Sequence, residues 1–293
     1  MEKEKSRAFA LLFLTFFVWA SVYVGAKLIS GDIPPSLLAC LRTCSGAACV
    51  SLMAWQYRHI HIERKDLWLL LLVGFLGYYA TVNLVQIGIA LTGASVAALI
   101  NALTPVSVTL LAALILHEKI TPVKVVCLAL ALAGTVIITG GTQSRGELMG
   151  IFAMLGAVTT WGFASVYLRK LTAKYPPVLV TAYGLCISLL FHIPTGIASL
   201  AAQEAVFTPF NILVILYLGI AGTGISQYTW SKSLSILPAS TCSLFYPLQA
   251  MFSALLGAMI LKEHFHSSFF LGFALICMDV ALNTWGSRRE SAV

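Results

Sequence analysis

Charge is scarce in this chain. Lys, Arg, Asp and Glu make up only 10% of its 293 residues, and just 11 are acidic. A soluble domain carries about 25% charged residues. The deficit excludes an ordinary water-exposed surface and an acidic disordered tail. Assembled catalytic chemistry is missing too: there is no HExxH, no GxSxG and no pair of carboxylates inside an apolar run. The 7 cysteines include no CxxC pair. Cys40, Cys44, Cys49, Cys127, Cys186, Cys242 and Cys277 all fall inside apolar segments and read as small packing residues. No cofactor or metal is implied. Arginine-rich stretches and aromatic-basic interleaving are lacking, so the net charge of +7 does not read as nucleic-acid binding.

What is present is apolar length. Hydrophobic residues make up 59% of the chain, and the mean hydropathy is +0.91. Runs of about 20 residues suit a helix that crosses a bilayer. Ten such runs are expected: Ala8–Ile29, Pro35–Trp55, Leu67–Ile87, Gly93–Leu116, Pro122–Gly140, Leu148–Leu168, Pro177–Leu200, Pro209–Trp230, Ala239–Leu261 and Ser267–Trp285. They are continuous rather than alternating, so spanning strands are excluded. The expected fold class is an all-α integral membrane protein of ten transmembrane helices. The first run is too long for a signal h-region, and its pattern recurs around Trp161, so it is expected to stay uncleaved. The polar connections are short and leave little room for an extramembrane enzyme.

The chain repeats itself. At one constant offset Gly74 and Gly77 fall on Gly219 and Gly222, Ala94-Ser95 on Ala239-Ser240, Leu110-Leu111 on Leu255-Leu256, and Glu118 on Glu263. Trp19 and Trp161 open a second matching pair. The polar, turn-rich segment Gly141–Glu147 is the natural boundary, which gives repeats over 1–142 and 143–293. Five helices per repeat make the second enter the membrane from the opposite side, so the repeats are expected to be inverted. Cations set the orientation. Lys3, Lys5, Arg7, Arg58, Arg64, Lys65, Lys119, Lys124, Arg169, Lys170, Lys174, Lys232, Arg288 and Arg289 fall on one side, against Arg145, Lys262 and Lys27 on the other. The positive-inside rule then places both termini in the cytoplasm.

These features resemble the EamA family of the drug/metabolite transporter superfamily. The residues that carry the likeness are Trp19 with Lys27, Arg42, Ala94-Ser95, and Leu103-Thr104-Pro105 leading to Leu116-His117-Glu118. In the second repeat they are Trp161-Gly162, Pro238-Ala239-Ser240, and Phe252 to Gly257 leading to Leu261-Lys262-Glu263. The likeness covers nearly the whole chain. It implies a ten-helix carrier with cytoplasmic termini that moves small metabolites, often outward. Two departures stand out: Ala250 aligns with Pro105 while Pro247 sits a turn earlier, and Asp279 aligns with Gly134.

Polar residues inside the spans are the candidate substrate path, because lipid offers them no partner. Trp19, Tyr23 and Lys27 form one helix stripe, which Trp161, Ser165 and Arg169 repeat. The tryptophans could line the path or anchor at the interface; Lys27 and Arg169 read as anchors. Tyr79, Asn83 and Gln86 share a face at helical spacing, as do Thr223, Gln227 and Trp230. Asn101 and Thr104 align with Tyr246 and Gln249, beside the candidate hinges Pro105 and Pro247. A proline within a helix frees a carbonyl for a substrate or a bend, or is a static kink. Glu118 and Glu263 each precede a helix start and read as structural clasps. Arg42, inside a span, reads as paired with carbonyls or a carboxylate. Asp279 and His192 are candidate coupling residues. Asp279 could equally reach the cytoplasmic interface near Arg288 and Arg289.

The function expected is secondary transport by alternating access in the cytoplasmic membrane. The partners are the lipid bilayer and a small-molecule substrate. A Trp, Tyr, Asn, Gln, Ser and Thr lining with little buried charge suits export of amino acids or related neutral or zwitterionic metabolites. Import of a small metabolite and a membrane scaffold are the alternatives. A monomer suffices for such a path, and a homo-oligomer is compatible with it.

Overall fold

The computed structural model describes residues 2–116, 145–237, 239–243 and 245–262, with scattered residues between 122 and 133 and between 270 and 282. Among the described residues the fold is entirely helical. Helix α1 is Glu2–Leu28 and α2 is Pro35–Ala54. Helix α3, Arg64–Thr92, contains a π-helical stretch at Val73–Ala80. Helix α4 is broken into rods Ala94–Asn101 and Thr104–Leu116. Then come α5, Arg145–Thr172, and α6, Pro177–Ala202. Helix α7, Pro209–Ile236, has its own π-helical stretch at Ile220–Ile225. Helix α8 is again broken, into Ala239–Ser243 and Tyr246–Leu256, and runs on to Leu261 as a π-turn.

Seven helices among the described residues are long and apolar enough to cross a membrane, and Leu248–Leu261 is a shorter apolar one. The runs at Pro122–Gly140 and Ser267–Trp285 lie largely outside the described residues, as do Glu118, Glu263 and Asp279. Large apolar side chains face outward on most helices: Leu52, Leu114, Phe152 and Leu213 are each at least 66% exposed. A surface this apolar needs lipid.

Local chemistry explains the helix ends. Helices α2, α6 and α7 each open on proline, whose missing N–H costs nothing in a first turn. Thr208 caps α7 by accepting from Asn211 N at 3.1 Å. Helix α3 stops at Gly93, whose φ of 92° lies where other residues are strained. Pro105 and Pro247 occupy first-turn positions of the second rods of α4 and α8. They therefore start new rods, and the breaks lie just before them rather than at a kink within one continuous helix.

The two halves of the chain pack by exchange. Helix α1 lies against α7 and α8, α5 lies against α3 and α4, and α2 lies along α6. Equivalent residues make equivalent contacts. A Cβ on Gly77 would sit 2.6 Å from Ala164 on α5, and one on Gly222 would collide with the matching Val22 on α1. Close backbone approach through small residues is how helices associate where no hydrophobic drive exists between them. The π-turns match as well: Thr81 donates to Leu76 O at 2.8 Å, and Ser226, at the equivalent position, donates to Ala221 O at 2.7 Å. Each hydroxyl adds a second bond to a carbonyl that already accepts the same residue's backbone N–H across the wide turn.

Candidate functional site

A cavity lies where the two halves meet. It is lined by Trp19, Val22 and Tyr23 of α1, Arg42 of α2, Gly77, Thr81, Val82 and Val85 of α3, and Asn101 of α4. Trp161 of α5, Gln227 of α7, and Tyr246 and Gln249 of α8 complete it. It encloses about 70 Å³, room for several waters. One wall is aromatic. Trp19 meets Trp161 edge to face with centroids 6.0 Å apart, and Trp19, Trp161 and Tyr246 all pack on the fully buried Trp230. The other wall is polar. Asn101 Nδ2 donates to Gln249 Oε1 at 3.4 Å across the breaks of α4 and α8. Thr104 donates to Asn101 O at 2.7 Å and so closes the break in α4.

Seven of the residues expected on the path therefore line one cavity: Trp19, Tyr23, Asn101, Trp161, Gln227, Tyr246 and Gln249. The others lie around it. Thr223 sits in the α7 π-turn, donates to Leu218 O at 3.0 Å and accepts from Arg42 Nε at 2.9 Å. Thr104 and Ser165 are fully buried. Gln86 is buried, and its Nε2 has no partner among the described residues. Tyr79 and Asn83 point elsewhere. Tyr79 packs on Phe75, Phe191 and His192, and Asn83 Nδ2 donates to His192 Nδ1 at 3.2 Å. His192 Nε2 donates to Tyr78 O at 2.9 Å, so both ring nitrogens are engaged and the imidazole ties α6 to α3. This pattern requires the Nε2–H tautomer.

The α3 residues on the cavity are Gly77, Thr81, Val82 and Val85 rather than Tyr79, Asn83 and Gln86. Tyr79 and Asn83 do share a face, but that face meets His192 of α6 instead of the cavity. Thr81, on the cavity side, stands among Gly77, Val82 and Val85, so no run of polar residues singled it out.

Lys27 and Arg169 sit away from the cavity. Lys27 donates to Ala90 O at 2.9 Å, near the C-terminus of α3. Arg169, its counterpart, donates to Leu234 O near the C-terminus of α7. Cations suit those carbonyls. Arg42 is different: it is 6% exposed, lies mid-helix in α2 and borders the cavity. Ion pairs form instead among Glu63, Lys65, Asp66 and Lys174.

The sequence matches the EamA-like transporter family over residues 6–140 and 148–285. The chain belongs to that family. This transporter is 26% identical over 282 residues to the uncharacterized transporter YoaV of Bacillus subtilis (strain 168), covering 93% of this chain and 95% of that protein. An uncharacterized transporter of Archaeoglobus fulgidus is 25% identical over 277 residues, covering 92% of this chain and 96% of the relative. A WAT1-related protein of Arabidopsis thaliana is 25% identical over 261 residues, covering 76% of this chain and 69% of its own length. A solved crystal structure shares the fold at a TM-score of 0.72 and 22% identity, covering 97% of this chain and 98% of the other. The family and the apolar helices make this a multi-pass membrane transporter and not an enzyme.

Proposed function

We propose that this transporter moves small neutral or zwitterionic metabolites across the cytoplasmic membrane by alternating access, and that its physiological direction is export, with amino acids as the leading substrates. The observation that carries this reading is the shared cavity, where the equivalent residues Trp19 and Trp161 face each other. Aromatic rings take the organic body, and Asn101, Gln227 and Gln249 supply hydrogen bonds. A few polar groups in an otherwise apolar wall are what orient a small ligand. The outward direction rests on the family resemblance.

The same reading takes the chain as ten helices in two inverted repeats, 1–142 and 143–293, with both termini cytoplasmic. Its support is a pair of matching ties at opposite ends of α2. Beyond its C-terminus, Lys174 Nζ pairs with Asp66 Oδ2 at 2.7 Å, and Tyr175 OH donates to the same oxygen at 2.7 Å. Before its N-terminus, Asn211 Nδ2 donates to Asp32 Oδ2 at 3.0 Å. Asn211 is the counterpart of Asp66, and Asp32 of Lys174, at the offsets that relate Gly74 to Gly219 and Trp19 to Trp161. Two equivalent ties at opposite ends are what alternating access needs, since either can open while the other holds.

Counterflow tests the function. Purified protein in liposomes loaded with unlabelled leucine, phenylalanine or threonine should take up the labelled amino acid faster than empty liposomes do. Uptake indifferent to internal substrate, or a steady ionic conductance, would overturn the carrier reading. Export from cells preloaded with the same compounds tests the direction.

A further inference from the structure

A buried cation borders the cavity without a counter-ion among the described residues. Arg42 Nε is held by the Thr223 hydroxyl at 2.9 Å. That hydroxyl is fixed in turn by Leu218 O, in the π-turn of α7. No hydrogen bond from either Arg42 Nη group is found among the described residues. Tyr23 and Gln249 line the same cavity as Arg42, so the cation, the phenol and the amide share one site. The contrast with Arg169 is informative: that cation ends on a helix carbonyl, as a structural one does. A guanidinium taken out of water needs an anion or a full set of acceptors. Arg42 has one acceptor among the described residues and a cavity in front of it.

We propose that Arg42 receives the carboxylate of the transported molecule, with Trp19, Trp161 and Tyr246 taking its organic body. This rests on the reading of the cavity as the transport site, and it moves the substrate class from neutral metabolites to small organic carboxylates, with zwitterionic amino acids among them. One planar guanidinium matches one carboxylate as a two-pronged donor. A phosphate would bring up to two charges to a cavity whose described lining holds a single cation. Asn101 and Gln249 remain as acceptors for an ammonium group, so zwitterions fit as well as simple acids.

The test uses matched pairs that differ only at the carboxylate: leucine and leucinamide, phenylalanine and phenylalaninamide, lactate and lactamide. Thermal stabilisation of the purified protein reads binding, and counterflow in liposomes reads transport. For the wild type the acid of at least one pair should stabilise and exchange at least tenfold better than its amide. Arg42→Lys should weaken that acid about tenfold through loss of the two-pronged fit, and Arg42→Met should abolish the preference for acid over amide. Equal handling of acid and amide by the wild type, or an unchanged preference in Arg42→Met, overturns the proposal. If no acid binds but a neutral compound exchanges, the anchor is wrong and the transport reading stands. If acids bind through Arg42 yet nothing exchanges, the anchor stands and the transport reading falls. A variant that is unstable as Arg42→Met but recovers as Arg42→Met with Asp279→Asn would assign Arg42 a structural counter-ion and also overturn it.

Discussion

Trp19 and Trp161 hold equivalent places in the two halves of the chain and touch each other, edge to face, at 6.0 Å. Both rings line the cavity between the halves. Both rings also pack on Trp230, so they serve the core as well as the cavity. Replacement by Ala would mix the two roles, since a buried Trp→Ala change costs about 3–5 kcal/mol. Phenylalanine keeps an aromatic face. We expect Trp19→Phe and Trp161→Phe to stay folded, with midpoints of thermal unfolding near wild type, and to lose transport about fivefold or more through poorer substrate affinity. Wild-type kinetics in both would confine these rings to packing.

Asn101 and Gln249 give a second separation of path from packing. Their mutual hydrogen bond is long, at 3.4 Å, and an interhelical bond of this kind contributes only about 0.6 kcal/mol on average. Asn101→Ala and Gln249→Ala should therefore unfold close to the wild-type temperature. If the amides meet the substrate, each should raise the apparent KM about tenfold. Transport kinetics and thermal stability in the same membrane preparation decide. Near-normal kinetics for both would move the binding site elsewhere.

The sequence and the structure agree most where chemistry is local. Proline at the starts of α2, α6 and α7, and the continuous apolar runs, are signals that a chain carries within a few residues. The α1 stripe was legible for the same reason: Trp19 and Tyr23 lie one turn apart on an uninterrupted helix, and both line the cavity. The cavity side of α3 was not legible, because two faces of that helix carry polar residues and only tertiary contacts assign them. Contacts such as Gly77 on Ala164 and Tyr78 O on His192, which set that assignment, join residues far apart in the chain. The placement of Arg42 has the same character. Its burial was expected from its position in a span, but its tie to Thr223 joins residues 181 apart and had no local signal.

Coupling gives a third expectation. His192 spends both ring nitrogens on Asn83 and Tyr78, so it acts as a helix tie. His192→Gln should reduce stability more than it alters the response to a pH gradient. Asp279→Asn should keep substantial counterflow, because a lone carboxylate near one helix end is weak support for a relay. Counterflow and pH-gradient-driven uptake by both purified variants check this. Counterflow preserved with gradient-driven uptake lost would make the altered residue a coupling group.

Topology is tested outside the described residues. In a cysteine-free background, a cysteine introduced at Ser144 should react in intact cells with a membrane-impermeant reagent, if the Lys and Arg bias sets the orientation as the positive-inside rule predicts. Cysteines appended at either terminus should react only after permeabilisation. Protection of Ser144→Cys in intact cells would refute the orientation.

The tie between Glu63, Asp66 and Lys174 should govern which end of the cavity opens. Lys174 Nζ reaches Glu63 Oε1 at 2.6 Å and Asp66 Oδ2 at 2.7 Å, joining the segment before α3 to the segment after α5. Hydrogen bonding from Lys174 and then Lys65 holds the Glu63 carboxyl below its usual range, and hydrogen bonding to Asp66 and Glu63 holds the Lys174 ammonium above its own. The signs define a window. A carboxyl lowered in the folded state contributes above its free value, near pH 4.3, and loses that contribution as pH falls through the lowered one. An ammonium raised in the folded state contributes below its free value, near pH 10.4, and loses that contribution as pH rises through the raised one. The tie is therefore intact between about pH 5 and 10, and a pH dependence of transport inside that window has its origin elsewhere. Because Lys174 and Glu63 are exposed, though Asp66 is less so, loss of the tie should shift the balance of states modestly, about twofold to fivefold. Lys174→Ala should speed labelling of a cysteine at Asn101 from this end of the molecule by that factor, and Asn211→Ala should do the same from the other end. The expected signature is opposite sidedness of the two effects. If both variants speed labelling from the same end, or neither changes it, the ties are not the gates.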